Sequence, residues 1–121
     1  MGKLLIILCD TPFQSERVDH ALRVAEAAIE RGHNVSFYLL MDGIYNLIMS
    51  QSGEAFRLIP ISRRFKELML KGVKVTCCKL CMDLRGIEKT LIPEGAVAGK
   101  ISDLSEEISE ADSVLSFTGE T

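Results

Sequence analysis

The 121-residue chain reads as a single-domain α/β protein with a mostly parallel sheet and helices on both faces. Three observations predict this. Strand-like and helix-like segments alternate along the whole length. The first strand, Lys3 to Cys9, is an unbroken apolar run, the pattern of a strand buried on both faces. Only Gly32-His33 separates the first helix from the second strand, a link as short as α/β units use.

Each element follows from local chemistry. After Asp10, Thr11-Pro-Phe-Gln14 has the form of a capping box with proline in the first turn, and Ser15 is an alternative cap. Val18, Ala21, Leu22, Ala25, Ala28 and Ile29 then recur on one helical face, and Gly32 ends the helix. Asn34 to Leu40 is the second strand, broken by Asp42-Gly43. Ile44 to Met49 suggests a short helix, and residues 50–62 a loop. Ser62 is placed to cap a helix striped by Phe65, Leu68 and Met69 and stopped at Gly72. Val73 to Cys77 is the third strand. Leu80 to Arg85 is a short helix closed by Gly86, and Ile92-Pro-Glu-Gly95 a turn. Ala96 to Ala98 is a short strand, Asp103 a cap, Leu104, Ile108 and Ala111 a helix face, and Ser113 to Phe117 the last strand. In parallel sheets reactive groups collect beyond the C-terminal strand ends. Cys9-Asp10, Met41-Asp42-Gly43, Cys77-Cys78 and Phe117 should therefore share one rim.

Composition excludes several classes. There is no tryptophan, aromatics are few, and the net charge is −3, which argues against a nucleic-acid binder. No dinucleotide or P-loop glycine motif is present, and Asp10-Thr-Pro-Phe13 is a poor flavin phosphate loop, so no cofactor is expected. Leu4 to Leu8 is too short for a signal segment, no membrane span is visible, and Ile6 stands where myristoylation needs Ser or Thr. The default compartment is the cytosol, where thiols stay reduced. Charge is uneven: nine basic and three acidic residues from Arg57 to Lys89, then seven acidic and one basic from Glu94 to Thr121. Such halves are ordinarily solvated faces, and they also suit docking of one face on another.

The chain's chemistry concentrates at Cys77, Cys78 and Cys81, at a strand-to-helix turn. Helix N-termini favour thiolates, though the dipole alone contributes about 0.3–1 kcal/mol. Cys9, ending an apolar run, reads as a buried small hydrophobe, and Cys77 also reads as buried. A metal site wants four ligands. The loop offers three at most, and His20 and His33 lack ligand spacing, so no metal is expected. Cys78-x-x-Cys81 suits thiol–disulfide exchange, without a thioredoxin-like context. It equally suits persulfide chemistry, with the helix amides, Lys79 and Arg85 near the anion. Asp10 and Asp42 on the same rim read either as turn residues or as proton handlers.

Val75-Thr-Cys-Cys-Lys-Leu-Cys-Met-Asp-Leu-Arg-Gly-Ile87 resembles the active-site loop of the DsrE/TusD family of sulfur-relay proteins. There a strand ends in a cysteine and a short helix closes on Arg-Gly. Counted back from Arg85-Gly86, Cys78 falls at the persulfide position and Cys81 at a second-cysteine position. Phe37-Tyr-Leu-Leu-Met-Asp-Gly-Ile-Tyr-Asn46 is similar to the family's segment at the end of strand two, and Ala111 to Phe117 to its last strand. The resemblance implies a flavodoxin-like sandwich and cytoplasmic homotrimers or hexamers. It implies cysteine-bound sulfur accepted from one relay protein and passed to another, with Cys78 as carrier, Cys81 as second thiol, and Lys79, Arg85 and the amides stabilising the anion. The alternatives are a thiol–disulfide or redox-sensing pair at Cys78 and Cys81, and a non-catalytic oligomeric binding module.

Overall fold

A hydrophobic hexapeptide finds its lowest free energy between two other strands, and Lys3–Leu8 (β1) takes that place. In the computed structural model, which describes residues 2–118, β1 pairs in parallel with Asn34–Leu39 (β2) from Lys3↔Asn34 to Leu8↔Leu39. On its other side it pairs with Ser113–Phe117 (β5), from Leu4↔Ser113 to Leu8↔Phe117. Lys74–Cys78 (β3) and Val97–Gly99 (β4) complete an all-parallel sheet in the order β4-β3-β2-β1-β5.

The helices are Arg17–Glu30 (α1), Ile61–Leu70 (α2), Lys79–Leu84 (α3) and Ile101–Glu110 (α4). α1 buries Val18, Ala21, Leu22 and Ala25, the expected stripe, and packs against α2. Phe65 of α2 meets Phe37 of β2 edge to face at 4.9 Å, a favoured aromatic geometry. Crossovers between parallel strands are right-handed. The successive steps from β1 to β4 therefore keep α1 and α2 on one face, and the return from β4 to β5 carries α4 across β1 on the other. The fold is the expected single α/β sandwich. α4 buries none of its residues, and Ile101, Ile108, Val114 and Leu115 remain 40–49% exposed.

Several element starts differ from expectation. Thr11-Pro-Phe-Gln14 does not cap α1. The Gln14 carboxamide oxygen accepts from both the amide and the hydroxyl of Thr11, and Phe13 at φ +61° closes a turn that a helix cannot contain. α1 begins only at Arg17, whose amide donates to Ser15 Oγ at 3.2 Å. Met41–Leu47 is a 3₁₀ helix starting earlier than the predicted piece. α2 starts at Ile61, so Ser62 lies inside its first turn, its amide donating to Gln51 Oε1. Asp103 is the third residue of α4 and accepts the Lys100 amide at 2.8 Å, the reverse arm of a capping box.

Candidate functional site

Val75, Thr76, Cys77 and Cys78 are all buried, because β3 has β2 on one side and β4 on the other. Cys77 packs in the core. Burial first, then the charges of Cys78 and Cys81, push its thiol up to about 12, so it is inert at neutral pH. Cys78 ends the strand and occupies the cap position of α3. The Leu80 and Cys81 amides in the first turn of α3 favour its ionised form, and the Cys81 thiol works against them. Helix and amides were expected to lower this thiol. Instead, burial, with help from Cys81, outweighs the amides and raises it.

Cys81 Sγ also accepts the amide of Met41 at 3.2 Å, so the turn after β2 reaches over to α3. Met41 stands at φ +51°, an uncommon conformation for a residue with a side chain. Arg85 fastens the same two segments: its Nε donates to Asp42 Oδ1 at 2.9 Å and its Nη1 to the Cys81 carbonyl at 3.3 Å. The Asp42 carboxylate pushes the guanidinium's pKa up further. Arg85 and Asp42 are thus brought to the rim as partners of each other. Lys79 grips Asp83 at 3.0 Å on the exposed side of α3. The second rim carboxylate, Asp10, is 2% exposed; its Oδ2 accepts Ser15 Oγ at 2.5 Å and Arg17 Nη1 at 3.0 Å. Neither histidine joins the rim: His33 Nδ1 accepts the Gly2 amide and His20 faces Glu16.

Two residues gain a place that their sequence context did not reveal. Asn46 is fully buried, and its Nδ2 donates to the carbonyls of Asp10 and Gly43, both at 2.8 Å, tying the ends of β1 and β2 together. The only signal was an amide inside an apolar stretch, between Ile44 and Leu47. Cys9, expected to be buried, is only partly so, whereas Cys77, Cys78 and Cys81 are buried. Burial, then the charges of Asp10, Cys81 and Asp42, raise its thiol. Its backbone lies against Gly43, where a Cβ would strike the Leu8 carbonyl.

The rim thus sets Cys78 at the cap of α3 and gathers Cys81, the Met41 amide and the Arg85–Asp42 pair beside it. Among the described residues, no group of three or more His, Cys, Asp or Glu is arranged around a metal position, and no helix is long and apolar enough to cross a membrane.

The model of the DsrE/DsrF-like family matches residues 2–117. Protein YchN of Escherichia coli is 30% identical over 120 residues, covering 97% of this chain and 100% of YchN. An uncharacterised protein of Methanocaldococcus jannaschii is 30% identical over 116 residues, 95% of this chain and 99% of that one. The crystal structure of YchN superposes with a TM-score of 0.88 at 28% identity, over 97% of this chain and 100% of that one. A protein of unknown function from Methanobacterium thermoautotrophicum shares the fold, with a TM-score of 0.80 at 12% identity over 97% of this chain and 100% of its own.

Proposed function

This chain belongs to the DsrE/DsrF-like family, and from that premise we propose that it accepts and passes on sulfane sulfur as a persulfide on Cys78. The observation that carries this reading is the position of Cys78, a buried thiol ending β3 at the cap of α3, where the Leu80 and Cys81 amides favour an ionised sulfur. Sulfur enters when the Cys78 thiolate attacks the outer sulfur of a donor persulfide, R–S–SH. One S–S bond forms, the bond to R breaks, and R–S⁻ takes up the proton that Cys78 released. Passing the sulfur to an acceptor thiol is the same exchange in reverse, so no net oxidation occurs. A persulfide is more acidic than a thiol. Under the same burial the loaded form therefore ionises more readily than the empty thiol, with the Leu80 and Cys81 amides favouring its anion.

The donor and acceptor are other sulfur-relay proteins, and the reaction class is sulfurtransfer in the cytoplasm. Homo-oligomers, trimers or hexamers, suit the apolar surface of Ile101, Ile108, Val114 and Leu115 left beside α4 and β5. A second reading is favoured by the placement of Cys78 and Cys81, both free and buried, at the cap and in the first turn of α3: a disulfide pair serving redox exchange or sensing.

The reduced protein, incubated with glutathione persulfide and weighed intact, decides. A gain of one sulfur, removed by reductant and mapped by peptide mass spectrometry to Cys78, is the expected result. A loss of two hydrogens with no sulfur gained establishes the disulfide pair instead. No mass change would remove both and leave a binding module.

A further inference from the structure

We propose that Cys9 is the thiol through which sulfane sulfur reaches and leaves Cys78, with Cys81 as the stop between them. The inference rests on the carrier reading and assigns that carrier its route to the surface.

The first reason is access. Cys78 has 0% of its surface exposed and Cys81 4%, so a donor protein cannot touch the carrier sulfur in this conformation. Cys9 is the one cysteine of the four with appreciable exposure.

The second reason is spacing. Cys78 ends β3 and Cys9 follows the end of β1, with β2 between them. Neighbouring strands lie about 4.8 Å apart, so the two strand ends are separated by about 10 Å, too far for direct exchange. Cys81 fills the gap. It stands in the first turn of the helix that Cys78 caps, and its sulfur is held at 3.2 Å by the amide of Met41, just past the end of β2. A Cβ at Gly43 would strike the Leu8 carbonyl and crowd the Cys9 Cα, so the glycine lets the end of β1 and the turn after β2 close against each other beside Cys9. The influence of the Cys81 and Asp42 charges on the Cys9 thiol agrees with that closeness.

The third reason is topological. Strand order runs outward from β1 to β4 and then returns to β5 on the other side of β1. Parallel sheets open their ligand crevice at such a reversal, beyond the C-terminal strand ends. Here that position is Cys9, whose amide donates to the Phe117 carbonyl at 2.9 Å. The site a partner would meet first is therefore not at β3.

Each step is the same exchange. The Cys9 thiolate attacks the outer sulfur of R–S–SH, giving Cys9–S–SH and R–S⁻. Cys81 attacks the outer sulfur of Cys9–S–SH, and Cys78 that of Cys81–S–SH. Every step forms one S–S bond and breaks one, and the proton lost by the attacking thiol returns to the departing sulfur.

The test follows loading by glutathione persulfide, with rapid quenching and site-by-site mass spectrometry of the persulfides. In the wild type, label should appear on Cys9 before Cys78. In Cys78→Ser it should accumulate on Cys9 and Cys81. Cys9→Ser and Cys9→Ala should load Cys78 about tenfold more slowly, because exchange rates follow access to the attacked sulfur. Loading of Cys78 at the wild-type rate in both Cys9 variants, with no label ever on Cys9, overturns the route while leaving Cys78 as carrier. Label on Cys9 that never reaches Cys78 in the wild type overturns the carrier reading and the route with it.

Discussion

Replacing Asn46 by alanine would remove a single amide that donates to two buried carbonyls, those of Asp10 and Gly43. Both carbonyls lose this donor. A buried acceptor left unpaired costs about 1–3 kcal/mol, so the two together would cost at most roughly 2–6 kcal/mol. One correction reduces this: Asn46 Oδ1 is itself buried without a partner, and deleting it relieves that penalty. A net loss of about 2–4 kcal/mol is expected, a large part of the 5–15 kcal/mol that holds a typical domain together. Urea unfolding followed by far-UV circular dichroism measures it, as a lower midpoint at unchanged slope. Asn46→Asp separates hydrogen bonding from volume. It keeps the shape but turns a carboxylate toward two carbonyl oxygens, and should be at least as damaging as alanine. If both variants unfolded within about 0.5 kcal/mol of the wild type, the strap between β1 and β2 would not exist as described.

Three further outcomes follow from the same geometry. Gly43→Ala should destabilise by about 1–3 kcal/mol in the same assay, since the new methyl meets the fixed Leu8 carbonyl; a neutral result would mean that the β2 turn yields freely. Arg85 and Asp42 form a largely surface pair, so a double-mutant cycle with Arg85→Ala and Asp42→Ala should give a coupling of about 1 kcal/mol or less, shrinking in high salt. Cys77 is neutral when folded, with its pKa raised to about 12 from an ordinary 9.0, so its contribution is intact below pH 9 and is lost as pH climbs toward 12. Stability of the wild type should therefore fall through that window more steeply than that of Cys77→Val, and parallel curves would contradict the burial argument.

The strands and the stripe of α1 were legible because each is a local pattern. Leu4 to Leu8 can only be satisfied inside a sheet, and Val18, Ala21, Leu22 and Ala25 can share a face only in a helix. Helix starts were less so. Thr11 and Gln14 have capping chemistry, but they spend it on each other in a turn. Cys78 was legible as a strand-end thiol next to a helix start. Its environment was not, because what covers it comes from far along the chain. Met41 binds a thiol 40 residues away and Asp42 a guanidinium 43 residues away. No spacing rule anticipates such contacts. Cys9 misled for the same reason: an apolar run predicts burial of the strand, while the residue just past its end is set by the neighbouring turns.

The raised Cys78 thiol at first opposes a sulfur-carrying role, since nucleophilic cysteines are ordinarily depressed. The opposition weakens once empty and loaded states are treated separately. A low-pKa carrier would be ionised when empty and would react with any oxidant or electrophile in the cell. Burial keeps the empty thiol protonated, and the two amides then have no charge to stabilise. In the proposed carrier, loading would put a more acidic persulfide at the same spot, where the amides favour its anion. Selectivity, on that proposal, would come from the difference between two protonation states at one fixed set of donors. The cost is accessibility, because the desolvation that silences the thiol also hides it. A carrier built this way needs either an opening motion or a more exposed thiol at the entrance, and at the β1–β5 reversal this chain has Cys9.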